Sequence, residues 1–496
     1  MFFRSFDITD RLKSYWKSRP VAFSFYASLV VSLVAAINSV AIGRDAALYL
    51  DVALVFQESG WHAAYERFDW PWYSIFLGVL HKVTHIPLIP LAYIVNALFM
   101  AGVCALLVKL VTDKVPEAGW WACLVVLAVP AFNEYRDDIW REFGFWFFSI
   151  LSLYRGIVWS EKGGWRRALS VYAAIFFAAL FRLEALFLVA AICAWQVVSI
   201  RSRADVGKAF QLVFIPVLGL ACLLLVLLFM EEGGIDRITY YAEIINPAGI
   251  VESFGLFASS IAESMSMKYS VGEAGEIAFF GIIGTLLYGF VKGLGVFLVP
   301  YLFMSSGFSH TQLRRTLSLF NWAFFFYFIV LLVFFLKMQF TTGRYSSLLA
   351  MLVVPLTAVM ALHFSKKHPK LGKVLVVLGL ISILVNVVSL SAGRTHYKEA
   401  AYWVKENVAP EARVYFMDRR MEFYAGREVV TSTYPQEEVM QSKVDQYEYF
   451  VLRYAADDPE VAGFIDLDTI RVVTEFRNAD NDVLTIFRNG QPRKTE

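Results

Sequence analysis

The chain has 496 residues, 58% of them hydrophobic and only 18% charged, with a formal net charge of +2. Soluble domains carry roughly 45–50% apolar and about 25% charged residues, so a single soluble domain, a disordered chain and a fibrous protein are excluded. Residues 393–496 hold 14 Lys/Arg and 19 Asp/Glu, net −5, so the body before them is +7 and the acidic tail does not suit nucleic acid.

In chain order, residues 1–20 hold Arg4, Arg11, Lys13, Lys17 and Arg19 against Asp7 and Asp10. The mostly apolar run Val21 to Ala41 follows. It is long enough to cross a hydrocarbon core as a helix, which takes roughly 20 residues. No small-residue cleavage site follows it, so it reads as an uncleaved first span. The stretch Trp72–Lys82 is apolar, aromatic and short, and reads as an interfacial or re-entrant helix in the first outer loop. Further spans are predicted at about 87–110, 118–132, 140–158, 167–181, 183–200, 208–230, 277–303, 317–337, 346–364 and 371–391, about eleven in all.

The basic clusters Lys109/Lys114, Lys162/Arg166/Arg167, Arg201/Arg203/Lys208, Arg314/Arg315 and Lys366/Lys367/Lys370/Lys373 fall on one side. The positive-inside rule makes that side cytoplasmic, together with the N-terminus. An odd span count then puts the loops 42–86, 133–139, 231–276 and 338–345, and the C-terminal domain, outside. The expected location is a plasma (inner) membrane crossed many times, with a periplasmic or extracytoplasmic tail.

The expected architecture is an α-helical polytopic domain, 1–392, followed by a small soluble α/β domain, 393–496. In the tail, Ala400–Asn407 and Arg419–Ala425 read as helices. Arg413–Phe416, Glu428–Thr431, Tyr449–Leu452, Arg471–Glu475 and Val483–Phe487 read as strands. Asp466-Leu-Asp468 is a formal DxD with no nucleotide-binding pattern around it. Cys104, Cys123, Cys193 and Cys222 lie in apolar runs with no CxxC or Cys/His ligand spacing, and read as buried thiols. The body lacks two matching halves with broken helices, the sequence pointer to many secondary transporters.

Ionisable groups at membrane depth are costly and persist mainly where they act. Directly after the first span, Arg44 adjoins Asp45, and Asp45 and Tyr49 share a helical face at i,i+4. A carboxylate there can act as general base toward a hydroxyl, or simply favour a helix N-terminus. Glu134, Arg136, Asp137, Asp138, Arg141 and Glu142 crowd one short stretch between two apolar runs. The pair Asp137/Asp138 can orient an acceptor or hold a divalent cation, Mg or Mn, although no cofactor is firmly indicated. Arg182 and Glu184 lie between two apolar runs; Arg182 suits a phosphate group, or forms a snorkelling pair at a tight turn. Arg344 and Tyr345 at the outer mouth of the tenth span also suit a phosphate. Lys292 either lines a cavity or lies nearer the surface because the helix breaks at the glycines around it.

Taken together, these residues resemble the GT-C superfamily of polytopic glycosyltransferases, and within it the branch of lipid A aminoarabinose transferases and protein O-mannosyltransferases. The Arg44-Asp45-Ala46-Ala47-Leu48-Tyr49 stretch resembles that family's Arg-Asp-Glu-x-x-Tyr, with Ala46 in place of the second acid. Phe68-Asp69-Trp70-Pro71-Trp72-Tyr73 matches its Lys-Pro-Pro-x-Tyr-like stretch at Pro71 and Tyr73 and lacks the Lys. Asp137 or Asp138 corresponds to the acid before the fourth span. Phe181–Leu188 is similar to an Arg-Pro-Glu stretch with Leu183 in place of Pro. Gly343-Arg344-Tyr345 with Pro355 resembles an Arg-Tyr-x-x-Pro-type late helix, and Tyr402–Asn407 with Ala412–Tyr415 the start of an outer domain.

The resemblance implies an inverting transfer on the outer face of a sugar from a polyprenyl-phosphate donor to a hydroxyl of a glycan, lipid or protein. Asp45 would be the catalytic base. Asp137 or Asp138 would orient the acceptor or bind a metal. Arg182, Arg344, Tyr345 and Lys292 would hold the donor phosphate, and Arg44, Tyr49, Glu184 and Tyr73 would support them. The loop 231–276, with Tyr240 and Tyr241, would act as a lid. Competing readings are a polysaccharide polymerase or ligase using a polyprenyl-diphosphate glycan, a lipid-linked sugar transporter or flippase, and an assembly scaffold.

Overall fold

The computed structural model describes residues 19–229, 240, 242–303, 313–388, 393–430, 434–455, 458 and 469–490, without the side chains of 204, 222–229 and 315. The basic residues before Arg19, Tyr241, Thr431, and Asp466 with Asp468 lie outside the described residues, as does the Cys222 side chain.

Among the described residues, six helices are long and apolar enough to cross a membrane: Pro20–Asn38, Leu88–Lys114, Ala274–Leu302, Thr316–Met338, Gly343–Lys367 and Pro369–Val387. The other five expected spans are also helical: Gly119–Ala128, Glu142–Lys162, Trp165–Phe181, Phe187–Val198 and Arg203–Phe229. Each of these is shorter, less apolar or only partly described, so six of the eleven expected spans meet the length and apolarity of a crossing helix among the described residues. In chain order the longer helices described up to Val387 are α1 (Pro20–Asn38), α2 (Arg44–Arg67), α3 (Trp72–Thr84), α4 (Leu88–Lys114), α5 (Gly119–Ala128), α6 (Glu142–Lys162), α7 (Trp165–Phe181), α8 (Phe187–Val198), α9 (Arg203–Phe229), α10 (Pro247–Ser264), α11 (Ala274–Leu294), α12 (Arg314–Met338), α13 (Gly343–Lys367) and α14 (Pro369–Val387).

The described chain divides into two compact units. One takes the residues up to Leu33, Val95–Arg136 and Arg141–Val387; the other takes Val34–Ile94, Asp137–Trp140 and the residues from Val388 on. The segment Val34–Ile94 is therefore grouped with the tail, whereas the sequence suggested a single cut at 392/393.

The first unit is a helical bundle in which α13 is the most enclosed long helix, with 83% of its apolar window buried against 22% for α1. Gly163 and Gly164, at φ 62° and 98°, form the turn between α6 and α7, in a conformation that side chains resist. The resulting hairpin is tight: a Cβ on Gly144 would run into the Phe181 ring, and Phe148 stacks on Phe177 and Phe181 at 5.4 and 5.8 Å. This geometry brings the start of α6, Glu142, beside the end of α7, Arg182. Among the clustered basic residues, Lys114 pairs with Glu161 and Lys366 with Glu117. Arg136 is buried and donates to Asn133 Oδ1 (2.8 Å), Ser28 Oγ (3.0 Å) and Ser32 Oγ (2.6 Å), which fixes the end of the loop before it to α1.

In the second unit, α2 and α3 pack through Leu48, Val52 and Ala64, with Phe56, Phe68 and Ile75 around them. One face of α3 buries Tyr73, Ser74, Leu77 and Gly78. The other leaves Trp72, Phe76, Val79 and Val83 exposed at helical spacing, as expected of a helix lying at headgroup level.

The tail opens with α15 (Thr395–Asn407), followed by β1 (Val414–Phe416), α16 (Arg419–Tyr424), α17 (Gln436–Ser442), β2 (Tyr449–Leu452), β3 (Ile470–Arg477) and β4 (Val483–Asn489). The sheet order is β1-β2-β4-β3. The β1–β2 pair is parallel, the other two pairs are antiparallel, and β3 shifts register between Val472 and Thr474. Its core is Tyr415, Val439, Phe450, Leu452, Ile470 and Phe487. The predicted strand at Glu428–Thr431 does not form over 428–430. There the Val430 N–H donates to the Glu422 carboxylate at 2.9 Å instead of to a ladder, and Glu428 pairs with Arg67.

Candidate active site

The first unit carries a charged cluster at the mouth of an apolar cavity. Arg182 caps α7 in extended backbone, and the 3-10 turn Leu183–Leu186 then presents Glu184. The Arg182 guanidinium donates from Nη1 to Glu142 Oε1 (2.7 Å) and from Nη2 to Glu184 Oε1 (2.5 Å). Arg344, in the first turn of α13, brings Nε to 3.6 Å from the same Glu142 oxygen. The Tyr345 ring lies under both cations, 4.7 Å from the Arg182 guanidinium carbon and 5.3 Å from that of Arg344. Tyr327 on α12 donates its hydroxyl to the Tyr345 carbonyl at 2.9 Å, which fixes the ring's backbone.

Arg182 and Arg344, with Arg141, whose field also reaches Glu184, face Glu142 and Glu184. The Arg182–Glu142 pair is nearly dehydrated: side-chain exposure is 10% for Arg182 and 3% for Glu142. Glu142 Oε2 and Glu184 Oε2 are buried with no hydrogen-bond partner among the described residues. Buried charges of this kind need their partners held in place. Below Arg182, Glu184 and Tyr345 opens a cavity of about 480 Å³ walled by Phe187, Ile244, Leu331 and Phe334. An apolar cavity with an Arg fork at its head suits a lipid chain ending in a phosphate.

A second cavity of the same unit, about 350 Å³, is more polar than the first and is lined by Glu134, Tyr135, Tyr288, Lys292, Thr342 and Ser346, among others. Lys292 therefore lines a cavity, one that contains none of Arg182, Arg344 or Tyr345. The helix does break at a glycine, but beyond Lys292, at Gly295 with φ 54°. Lys292 shares this cavity with Thr342 and Gly343 at the N-terminal end of α13.

In the second unit, Asp45 is half-buried in the first turn of α2. The Asp138 carboxylate closes on Gly43, the residue capping that helix, so that a Cβ on Gly43 would overlap it. The structure thus brings Asp45 and Asp138 to one helix N-terminus, whose dipole favours negative charge. Asp137 is exposed, and its carbonyl accepts from the Tyr93 hydroxyl at 3.0 Å. Among the described residues no three His, Cys, Asp or Glu side chains come together in a metal-holding group.

The residues expected to support Asp45 have evident packing roles. Tyr49 and Tyr73 are buried and meet edge to face at 5.4 Å. Arg44 points to Asp418, with Nε 3.4 Å from Oδ2, and so ties the start of α2 to the tail's α16. Nearby, Asp51 pairs with Arg67 at 3.0 Å, and burial pushes its carboxyl up against that pairing. Burial also pushes Glu422 up to about 7. Asp418 goes the other way: burial raises it, but the hydrogen bonds and charge of Arg420, helped by Arg44, bring it below the usual range.

Sequence reasoning paired Arg182 with Glu184 and Arg344 with Tyr345 and assigned Arg182, Arg344, Tyr345 and Lys292 to one phosphate; the fold gathers the first four and leaves Lys292 in another cavity. It passed over Glu142 as a flanking charge and missed Tyr327, one aromatic among many in an apolar run.

No protein-family model matches the chain, and no curated protein matches it. Solved structures similar in fold include the following two. The crystal structure of ArnT from Cupriavidus metallidurans bound to undecaprenyl phosphate is 13% identical with a TM-score of 0.43, over 96% of this chain and 99% of that one. The cryo-EM structure of the arabinofuranosyltransferase AftD from mycobacteria is 12% identical with a TM-score of 0.42, over 95% of this chain and 40% of that one. Both scores are below one half, so neither likeness bears weight in the reading of function, which rests on this chain's own residues.

Proposed function

We propose that the protein is a GT-C-type membrane glycosyltransferase that moves a sugar from a polyprenyl-phosphate donor to an acceptor hydroxyl at the outer membrane face. The observation that carries this reading is the pairing of the Arg182–Glu142–Glu184–Arg344 cluster with the apolar cavity of about 480 Å³ that opens beneath it. A prenyl chain would fill the cavity. Its singly charged phosphodiester would meet Arg182 and Arg344, since Arg forks bind phosphate oxygens in pairs.

In the proposed reaction Asp45 accepts the acceptor's hydroxyl proton. The hydroxyl oxygen bonds to the anomeric carbon as the bond from that carbon to the phosphate oxygen breaks, which inverts the centre and releases polyprenyl phosphate. The leaving group's added charge is met by Arg182 and Arg344, in a dry setting where preorganised charges act strongly. Asp138, or Asp137 beside it, orients the acceptor or holds a divalent cation. An outward-facing site has no supply of nucleotide sugar, which is why the donor is lipid-linked. The branch nearest lipid A aminoarabinose and protein O-mannosyl transferases, and eleven crossings with the tail outside, belong to the same proposal.

The test is incubation of purified protein with radiolabelled sugars on polyprenyl phosphate and membrane extract as acceptor source, with and without EDTA. Label leaving the lipid with wild type and not with Arg182→Met supports the reading. If no donor turns over although the lipid binds, the reading is wrong and a transporter or a diphosphate-linked donor takes its place.

A further inference from the structure

The polar cavity beside the charged cluster has no assigned occupant. Two charged side chains of opposite sign line it, Lys292 and Glu134, and neither side chain makes a hydrogen bond or ion pair with the described residues. The rings of Tyr135 and Tyr288 add aromatic walls. Thr342 also lines it, and its hydroxyl is buried without a hydrogen-bond partner among the described residues. The segment Thr341–Ser346 borders both cavities: Thr342, Gly343 and Ser346 line the polar one, while Tyr345 lines the apolar one and Arg344 pairs with Glu142. An occupant of the polar cavity therefore lies one helical turn from the proposed phosphate site.

The chemistry of the lining selects among occupants. A prenyl chain would leave both charges dehydrated and unpaired, which is costly. A phosphate would suit Lys292 but meet Glu134 as a like charge, and among the described residues the lining holds no second Lys or Arg to offset it. A sugar ring suits the whole lining, because each hydroxyl both donates and accepts and its C–H face packs on an aromatic ring. At about 350 Å³ the cavity is near the lower end of small-molecule sites, which run from about 300 to 1,000 Å³ and favour one ring over an oligosaccharide.

We infer that this cavity holds the monosaccharide of the lipid-linked donor, with Lys292 donating and Glu134 accepting hydrogen bonds at ring hydroxyls. The inference rests on the proposed function, and it takes Lys292 away from the phosphate. Both residues are exposed in the cavity, so Lys292→Met and Glu134→Gln leave the fold intact, which a melting curve checks.

The experiment measures affinity of the intact purified protein for bare undecaprenyl phosphate and for the same lipid carrying glucose, mannose, galactose, N-acetylglucosamine or arabinose. Wild type should bind at least one glycosylated lipid tenfold or more tightly than the bare lipid. Each variant should lose that gain and keep its affinity for the bare lipid within twofold. The inference is overturned if no sugar improves binding, if both variants keep the gain, or if Lys292→Met weakens the bare lipid as much as the glycosylated one. Failure of wild type to bind the bare lipid would instead refute the proposed function, and this inference with it.

Discussion

Replacing Arg182 by Lys keeps the charge and removes the fork. Arg182 makes two charge-assisted hydrogen bonds, to Glu142 at 2.7 Å and Glu184 at 2.5 Å, and lies over the Tyr345 ring. Each such bond contributes about 1.5–3 kcal/mol net, and a compact ammonium can keep one of the two. The loss should be about 2–3 kcal/mol for Arg182→Lys. For Arg182→Met it should reach about 3–5 kcal/mol, because Glu142 and Glu184 are left buried without their main counter-charge. Thermal unfolding in detergent, with and without bare polyprenyl phosphate, reads both effects. Wild type should gain about 2.7 kcal/mol when the lipid is at a hundred times its Kd. Arg182→Lys should melt several degrees lower and gain much less from the lipid. A Lys variant that melts with wild type and takes the full lipid stabilisation would refute the role given to the fork.

Asp45→Asn should abolish transfer, by a hundredfold or more, while leaving affinity for bare polyprenyl phosphate within twofold; turnover near the wild-type rate would remove Asp45 as base. Glu422 titrates at about 7 in the folded tail, because burial disfavours its charge. The folded state then holds a proton that the unfolded chain loses near 4.5, so this contribution is full below pH 4.5 and is lost as pH rises toward 7. The shift is worth at most ~3 kcal/mol, so Glu422→Gln should raise the melting temperature at pH 8 and not at pH 4.5, and an equal effect at both would count against the shift. Asp418 has the opposite sign: its carboxyl lies below the usual range, so its contribution is present above pH 4 and is lost on acidification. Asp418→Asn should therefore destabilise at pH 7 and lose its effect near pH 2, as melting curves at the two pH values will reveal. Arg136→Ala should cost about 2–4 kcal/mol through unmet Ser28, Ser32 and Asn133 partners, without shifting the affinity for bare lipid. A change in that affinity would mean that Arg136 takes part in the site.

Much of the helical framework is legible because long apolar runs have few alternatives. The short helix Trp72–Thr84 stood out by its length and aromatics, and the strand Tyr449–Leu452 by its apolar run. Glu428–Val430 misled because its apolar residues suit a strand, while the Val430 N–H is claimed by a side chain distant in sequence. The grouping of Val34–Ile94 with the tail depends on long-range pairs such as Arg44–Asp418 and Arg67–Glu428, which no local pattern encodes. Arg182 and Arg344 were visible as charges at the ends of apolar runs. Their bridge, Glu142, became visible only once the α6–α7 hairpin folded its start against its end. Lys292 stood out for its depth, yet its cavity is formed by helices from three parts of the chain.

A single-turnover reaction with wild type and Asp45→Asn, each loaded with the glycosylated polyprenyl phosphate that binds best, tests transfer by Asp45 directly. Wild type should release bare polyprenyl phosphate in step with a glycosylated acceptor of inverted anomeric configuration, while Asp45→Asn holds the donor unreacted. Donor consumed equally by both proteins, or a product of retained configuration, would contradict the proposed mechanism.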